Sequence, residues 1–335
     1  MRYFVFLIFL LFAGCSTKVF EPVHTENKKL KMKTKSEELS EYTKKNLTFS
    51  SLILKKVKKT SPFDDGLKIV KVYYDENGKS LGKFKKIDED MAVNGKKLLL
   101  ISEKTVLKTP YLIYSATRKG DKIAIVFENG KYGVYDIASK NMSFIFDGDE
   151  TLSVRHLHAK PLFYKDLILF PLLSGGIAVV DAQKGEFIRT LTISQNQFND
   201  NVIFLKIVDN KLFMATSSKL ILFDPKFLID YEADIKHIVT LNKNLYVFTN
   251  DGDVIKLDSN LKELKKISLP YASFFAPGIC KGNIWSVEKE GYLIKITPDL
   301  NVTVYEGNKF DTDNDSMLKI KGCKIYNDYK VFMIE

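Results

Sequence analysis

From about residue 61 onward, short runs of Val, Ile, Leu, Phe and Tyr alternate with polar turns, and no stretch keeps a helical period long enough to bury one helix face. The pattern predicts strands, and the strands repeat. Residues 121–136 (DKIAIVFENGKYGVYD) read as an apolar strand, an Asn129-Gly130 turn expected to be type I′, a second strand and a closing Asp. The same phrase returns over 165–181, 210–224, 244–258 and 282–296, with further turns at Lys184-Gly185 and Asp251-Gly252. The closing acids Asp136, Asp181, Asp224, Asp258 and Asp299 stand 45, 43, 34 and 41 residues apart. That is the period of a four-stranded propeller blade. The prediction is an all-β propeller of four-stranded blades: one blade near 94–113, five from 121 to 307, and a partial one over 319–335. Seven is the expected number, and six or eight fit the same spacing. The incomplete last blade needs outer strands from elsewhere, and Lys68 to Tyr74 with Leu81 to Ile87 are expected to supply them. Ring closure would remove open edges that invite aggregation.

The beginning of the chain follows another pattern. Met1-Arg2 is followed by ten apolar residues, Tyr3 to Phe12. Ten are too few to span a bilayer, which takes roughly 20, but suit the apolar region of a secretory signal. Leu11-Phe12-Ala13-Gly14-Cys15 resembles the lipobox of bacterial lipoproteins. The resemblance implies removal of residues 1–14, acylation of Cys15 as the lipidation site, and stable anchoring to a lipid bilayer by more than one chain. Ser16 resembles the pattern of lipoproteins carried to the outer membrane, held on its periplasmic face. Lys18 to Thr60 is rich in Lys, Glu, Ser and Thr and poor in apolar residues, so 15–60 is expected to be a basic, flexible stalk. Within it, Leu47 to Val57 is the candidate first docked strand. The propeller is expected over 61–335.

Charge sharpens this division. The chain has 335 residues, 45% of them hydrophobic, and a net charge of +10. Residues 16–60 hold 12 Lys and 5 Glu, so with Arg2 set aside the body is nearly neutral. A neutral body with a basic stalk is not the charge distribution of a nucleic-acid-binding domain, and the basic run could instead lie against anionic headgroups.

The repeats resemble those of the pyrroloquinoline-quinone-type β-propeller over about residues 94–335, most specifically at the Asn129-Gly130, Asp251-Gly252 and Lys184-Gly185 turns. The chain lacks that repeat's recurrent Trp; its single Trp285 sits on an early strand. It also lacks the adjacent cysteine pair of the family's redox enzymes, a G-x-S-x-G elbow and a Gly-rich phosphate loop. The expectation is therefore a non-enzymatic protein without a cofactor. With a lipobox added, the whole resembles the BamB family of outer-membrane barrel-assembly lipoproteins. That resemblance implies a monomeric propeller scaffold whose partners are envelope proteins such as a BamA-type barrel. The rival readings are a surface-exposed lipoprotein binding an external ligand, and a propeller binding calcium or a small molecule.

Candidate site residues are few. Cys280 and Cys323, 43 residues apart, fall at equivalent places in successive blades and either form a disulfide or remain two small buried hydrophobes. Asp311, Asp313 and Asp315 resemble the start of a calcium loop, although Ser316 and Gly322 stand where such a loop needs Gly and Glu. His156 and His158 would share one face if their stretch is a strand and could then ligate zinc, but lack a third ligand. Arg155, His156, His158, Phe274 and Phe275 are the candidate partner contacts, with burial at strand ends as the alternative.

Overall fold

The computed structural model describes residues 18–33, 51–56, 67–74, 80–87, 90–148, 158–193, 200–224, 227–307, 310, 312, 318–327 and 330–335. Among the described residues every regular element is a strand, and the strands form seven sheets. Each sheet is one blade of a seven-bladed propeller. Blade 1 runs through Ser80–Lys86, Met91–Asn94, Lys97–Leu100 and Thr105–Lys108. Blade 2 spans Ile113–Lys119 to Asn141–Phe146, blade 3 Leu162–Tyr164 to Phe187–Thr192, and blade 4 Phe204–Val208 to Phe227–Glu232. Blade 5 spans Ile235–Leu241 to Glu263–Ser268, and blade 6 Phe274–Cys280 to Val302–Glu306. Blade 7 begins with Leu318–Lys321, Lys324–Asn327 and Lys330–Met333. First strands of adjacent blades touch, as Ile235–Leu241 does Phe274–Cys280 and Phe274–Cys280 does Leu318–Lys321, so they form the inner wall of the ring.

The core lies between blades because alternate residues of each strand face opposite neighbours. Blades 1 and 2 enclose Leu98, Leu100, Ile123, Ile125 and Phe127. Blades 2 and 3 share Val134, Phe170 and Val180, and blades 4 and 5 share Phe213, Leu222, Leu245 and Leu257. The second and third strands are buried on both faces, whereas outer strands such as Phe187–Thr192 are mostly exposed.

Two expectations about closure are overturned. The fourth strand of blade 7 is Lys31–Lys33, antiparallel to Lys330–Met333, with Met32 opposite Phe332. Leu67–Tyr74 instead joins the free edge of Ser80–Lys86, and Ser51–Lys56 pairs with it, so these strands extend blade 1. Residues 18–33 are likewise no free stalk. They form a strap: Glu26–Asn27 adds in parallel to Val302–Glu306 of blade 6, and Phe20 and Leu30 are buried. Phe20 enters the blade 5–6 core beside Phe248 and Phe274, and Leu30 enters the blade 6–7 core beside Trp285 and Ile325. Each such burial contributes about 1.5–3 kcal/mol, and the strap is held besides by the pairing of Glu26–Asn27 and Lys31–Lys33 with blades 6 and 7.

The turns also differ from expectation. At Asn129-Gly130 only Gly130 is left-handed (φ 81°). Its N–H donates to Phe127 O at 3.1 Å, so the connection is a type I turn followed by a glycine bulge. Doubly left-handed pairs occur where inner and second strands meet, at Asp209-Asn210, Asn242-Lys243 and Lys281-Gly282.

Candidate interaction faces

A propeller presents two rims, and the bonding in each sets what it can do. One rim, the loop face, carries the connections from one blade's outer strand to the next blade's inner strand, together with the turns between second and third strands. These are stitched by backbone bonds: Glu128 N–H to Leu112 O (2.9 Å), Leu269 N–H to Gly252 O (3.0 Å) and Lys289 N–H to Ser273 O (3.0 Å). Gly252, at φ 89°, has no room for a side chain, because a Cβ would stand 2.2 Å from Leu269 O.

The opposite rim, the turn face, carries the other two sets of turns, and lysines tie them across blade boundaries. Lys122 of blade 2 donates to Ala182 O of blade 3. Lys211 of blade 4 donates to Ser259 O (3.1 Å) and Asn260 Oδ1 (2.6 Å) of blade 5. Lys265 of blade 5 donates to Asp299 O (2.7 Å) of blade 6, and Lys243 pairs with Asp209 at 2.8 Å. The repeated acids belong to this rim. Asp136 Oδ1 accepts from Ser139 N–H (2.7 Å), Asp181 Oδ1 from Gln183 and Lys184 N–H (both 2.8 Å), and Asp258 Oδ1 from Asn260 (2.7 Å) and Lys262 (2.9 Å) N–H. These N–H donors hold the Asp136 and Asp181 carboxyls below their ordinary range. The acid is repeated because a turn is repeated.

Between blades 1 and 2 the turn face opens into a cleft of about 380 Å³ lined by Asp90, Met91, Arg118, Gly120 and Asp121. The Arg118 guanidinium is spent on the cleft's own walls: it donates to Asp90 (3.1 Å), Glu103 and Gly120 O (2.9 Å). Asp90 also accepts Ser102 N–H at 2.7 Å and is held low by these donors and by Arg118, against the cost of its burial.

Two lysines of the inner wall meet hydroxyls. Lys206 donates to Thr240 Oγ1 (2.6 Å) across blades 4 and 5, and Lys236 donates to Ser273 Oγ (2.6 Å) while lying 4.9 Å from the Phe275 ring centre. Burial pushes both lysines down. Beside Lys236, Glu288 is fully buried and pushed up by burial, with its carboxylate accepting Ser273 N–H (3.0 Å) and Glu290 N–H (2.7 Å).

The residues singled out in the sequence do not converge. Cys15, Arg155, His156, Asp311, Asp313 and Asp315 lie outside the described residues. Among those described, no group of three or more His, Cys, Asp and Glu side chains is placed to hold a metal. His158 does not belong to a contact surface: its ring nitrogens are enclosed, its ring meets Tyr114 edge-on at 4.9 Å, and burial lowers it to about 4. Phe274 is a core residue with no exposure, 5.0 Å from the Phe248 ring, which overturns its place among the contact candidates. Phe275 is half-buried beneath Lys236. Cys280 and Cys323 are joined in a disulfide linking blades 6 and 7, with Cα atoms 4.8 Å apart. The strap is what sequence reasoning missed, and its signal was slight: Phe20 and Leu30 are two of a few apolar residues scattered through a polar stretch.

No protein-family model matches the chain. Plasminogen-binding protein PgbB of Helicobacter pylori strain J99 is 31% identical over 189 residues, 56% of this chain and 35% of the relative. PgbB of strain 26695 matches the same length at 31% identity, covering 34% of the relative. The match thus spans about a third of the relatives' own length. Among solved structures, BamB from Moraxella catarrhalis superposes with a TM-score of 0.58 at 18% identity, over 83% of this chain and 98% of that one. The carboxy-terminal WD40 domain of Sif2 also gives 0.58, at 13% identity over 87% of this chain and 100% of the other. At such identities the likeness is one of fold.

Proposed function

We propose that the protein is a non-enzymatic scaffold lipoprotein of the cell envelope, anchored through acylated Cys15, whose propeller holds partner proteins at the membrane. The observation that carries this reading is how the ring uses its polar groups. Repeated acids close turns, lysines bridge blades, and Arg118 is bound by its own neighbours. Such a frame is suited to presenting a fixed surface, because little ordering entropy is left to lose on binding. The fold shared with BamB over nearly all of that chain supports a partner in outer-membrane barrel assembly, acting on the periplasmic side. A second reading has its own support: the Helicobacter pylori relatives are plasminogen-binding proteins, which favours an exposed lipoprotein that captures an external protein.

One experiment separates them. The full-length acylated protein is purified in mild detergent from its own membranes and co-purifying proteins are identified, while intact cells are treated with protease. Recovery of a BamA-type barrel with protection from protease establishes the periplasmic scaffold. Cleavage on intact cells together with saturable plasminogen binding establishes the second reading. Neither partner, with the protein well recovered, overturns both.

A further inference from the structure

The strap limits how far the ring can stand from the lipidation site. Phe20 is 4% exposed in the blade 5–6 core and meets Tyr292 edge-on at 6.0 Å. Two residues earlier, the Lys18 ammonium lies 5.6 Å from the Tyr271 ring centre. From Cys15 to Lys18 the chain advances three residues, so it reaches at most about 10 Å. Blade strands such as Asn244–Thr249 have six residues and stand about 20 Å tall. A tether shorter than the ring's own height cannot hold the ring clear of the bilayer, nor let it present either rim at will.

The rim nearest the tether is settled by its contacts. Tyr271 belongs to the connection from blade 5 to blade 6, whose neighbours Leu269 and Ala272 bond to and pack beside the Gly252 turn. Tyr292 borders the equivalent turn of blade 6, where Gly291 N–H donates to Glu288 O at 2.8 Å. Lys18, Val19 and Phe20 therefore reach the loop face. At this corner Tyr271 (54%) and Val19 (44%) are exposed apolar groups beside the Lys18 cation, and Val23 further along the strap is exposed as well. An aromatic ring with a polar tip, an aliphatic group and a cation are the side chains that settle at a headgroup boundary.

We propose that the Lys18–Val19–Tyr271 corner of the loop face, over blades 5 and 6, is a membrane-docking surface that sets the ring against the lipid and turns the turn face toward the aqueous side. The occupant is a lipid surface because the tether leaves the corner nowhere else to lie. This rests on the acylation of Cys15 in the reading above. It also gives that reading an orientation, with partners meeting the turn face and the blade flanks first.

The test uses the full-length acylated protein in vesicles of phosphatidylethanolamine and phosphatidylglycerol that carry a nitroxide-headgroup quencher. With Cys15 acylated and Cys280 bonded to Cys323, Asp251→Cys beside the Gly252 turn and Lys262→Cys each supply one thiol for a fluorophore, on the loop and turn faces of the same blade and outside the docking corner. Flotation is measured first. If the protein fails to float with the vesicles, the anchor reading and this proposal fall together. If it floats, the expected result is loss of most fluorescence at 251 and little loss at 262. Equal loss at both positions, greater loss at 262, or little loss at either overturns docking while leaving the anchor standing. Phe20→Ala adds a second arm: freed of its near anchor, the ring should keep floating but lose the contrast between the two labels. Retained contrast means that the strap does not set the orientation.

Discussion

At the scale of single residues, the acids that close the turns are occupied by backbone N–H groups. Asp136, Asp181 and Asp258 recur because each carboxylate gathers the N–H groups of a tight turn, and a turn cap and a ligand acid look alike in sequence. The histidines show the opposite limit. His158 sits in a stretch with no regular alternation, and its enclosure comes from groups far off in sequence, such as the Tyr114 ring and the backbone of Pro171. That enclosure has a pH consequence. The folded pKa of His158 is about 4 and that of His237 about 3, against an ordinary 6.5, with burial the main cause in both. Above pH 6.5 both rings are neutral folded or unfolded. As the pH falls below that value, the unfolded chain takes up protons that the folded chain refuses, so stability drops between about pH 6.5 and pH 4. For His158 the loss is up to about 3 kcal/mol. Melting temperatures from about pH 7 to pH 4 should fall more steeply for the native protein than for His158→Gln. Parallel curves would mean that the ring is not shielded. The lowered Asp136 and Asp181 carboxyls act in a separate window: their contribution is present above 3.8 and lost at lower pH.

At the scale of elements, what could be read follows from local signals. Second and third strands stand out because two buried faces give unbroken apolar runs such as Ile123–Phe127 and Ile177–Val180. The blade count follows from the same runs. Pairing over long sequence distance was not legible: nothing local distinguishes Lys31–Lys33, which completes blade 7 from the far end of the chain, from a solvated tail. The strands 67–74 and 80–86 were recognisable as strands, but the edge they join is decided by register against blade 1. The disulfide adds a covalent tie where blade 7 meets blade 6. Closing a loop with a sequence separation of 43 residues removes unfolded-state entropy equivalent to about 4 kcal/mol in the chain-entropy account. For a chain of this size that corresponds to about 6 °C in melting temperature. The paired substitution Cys280→Ser and Cys323→Ser should lower the melting temperature by roughly that much. In calorimetry the reduced protein should show the same loss as the double variant, and an unchanged midpoint would show that the bridge does not constrain the unfolded chain.

At the scale of the whole molecule, a ring of blades differs from an open stack because its first and last members must also be held. Most boundaries are held alike, by an apolar layer between adjacent sheets, as between blades 1 and 2, 2 and 3, and 4 and 5. Blades 6 and 7 carry more: the strap crosses both, Leu30 fills their shared core, and Lys28 lies 5.4 Å from the Trp285 ring centre and 5.1 Å from that of Tyr305. The two aromatics stack at 5.8 Å, so the strap's cation covers a surface that would otherwise face water. Deleting residues 18–33 should therefore do more than remove the burial of two side chains. It leaves blade 7 without Lys31–Lys33 and exposes the backbone edge of Lys330–Met333, a template for pairing with another chain. The expected outcome is a lower melting temperature together with concentration-dependent self-association, read by calorimetry and light scattering on the same samples. The double substitution Phe20→Ala and Leu30→Ala removes the anchors but keeps the edge strand. It should lower stability by several kcal/mol and yet remain monomeric. If the deletion melts lower but stays monomeric at every concentration, the strap acts only through its anchors and ring closure does not depend on its strand.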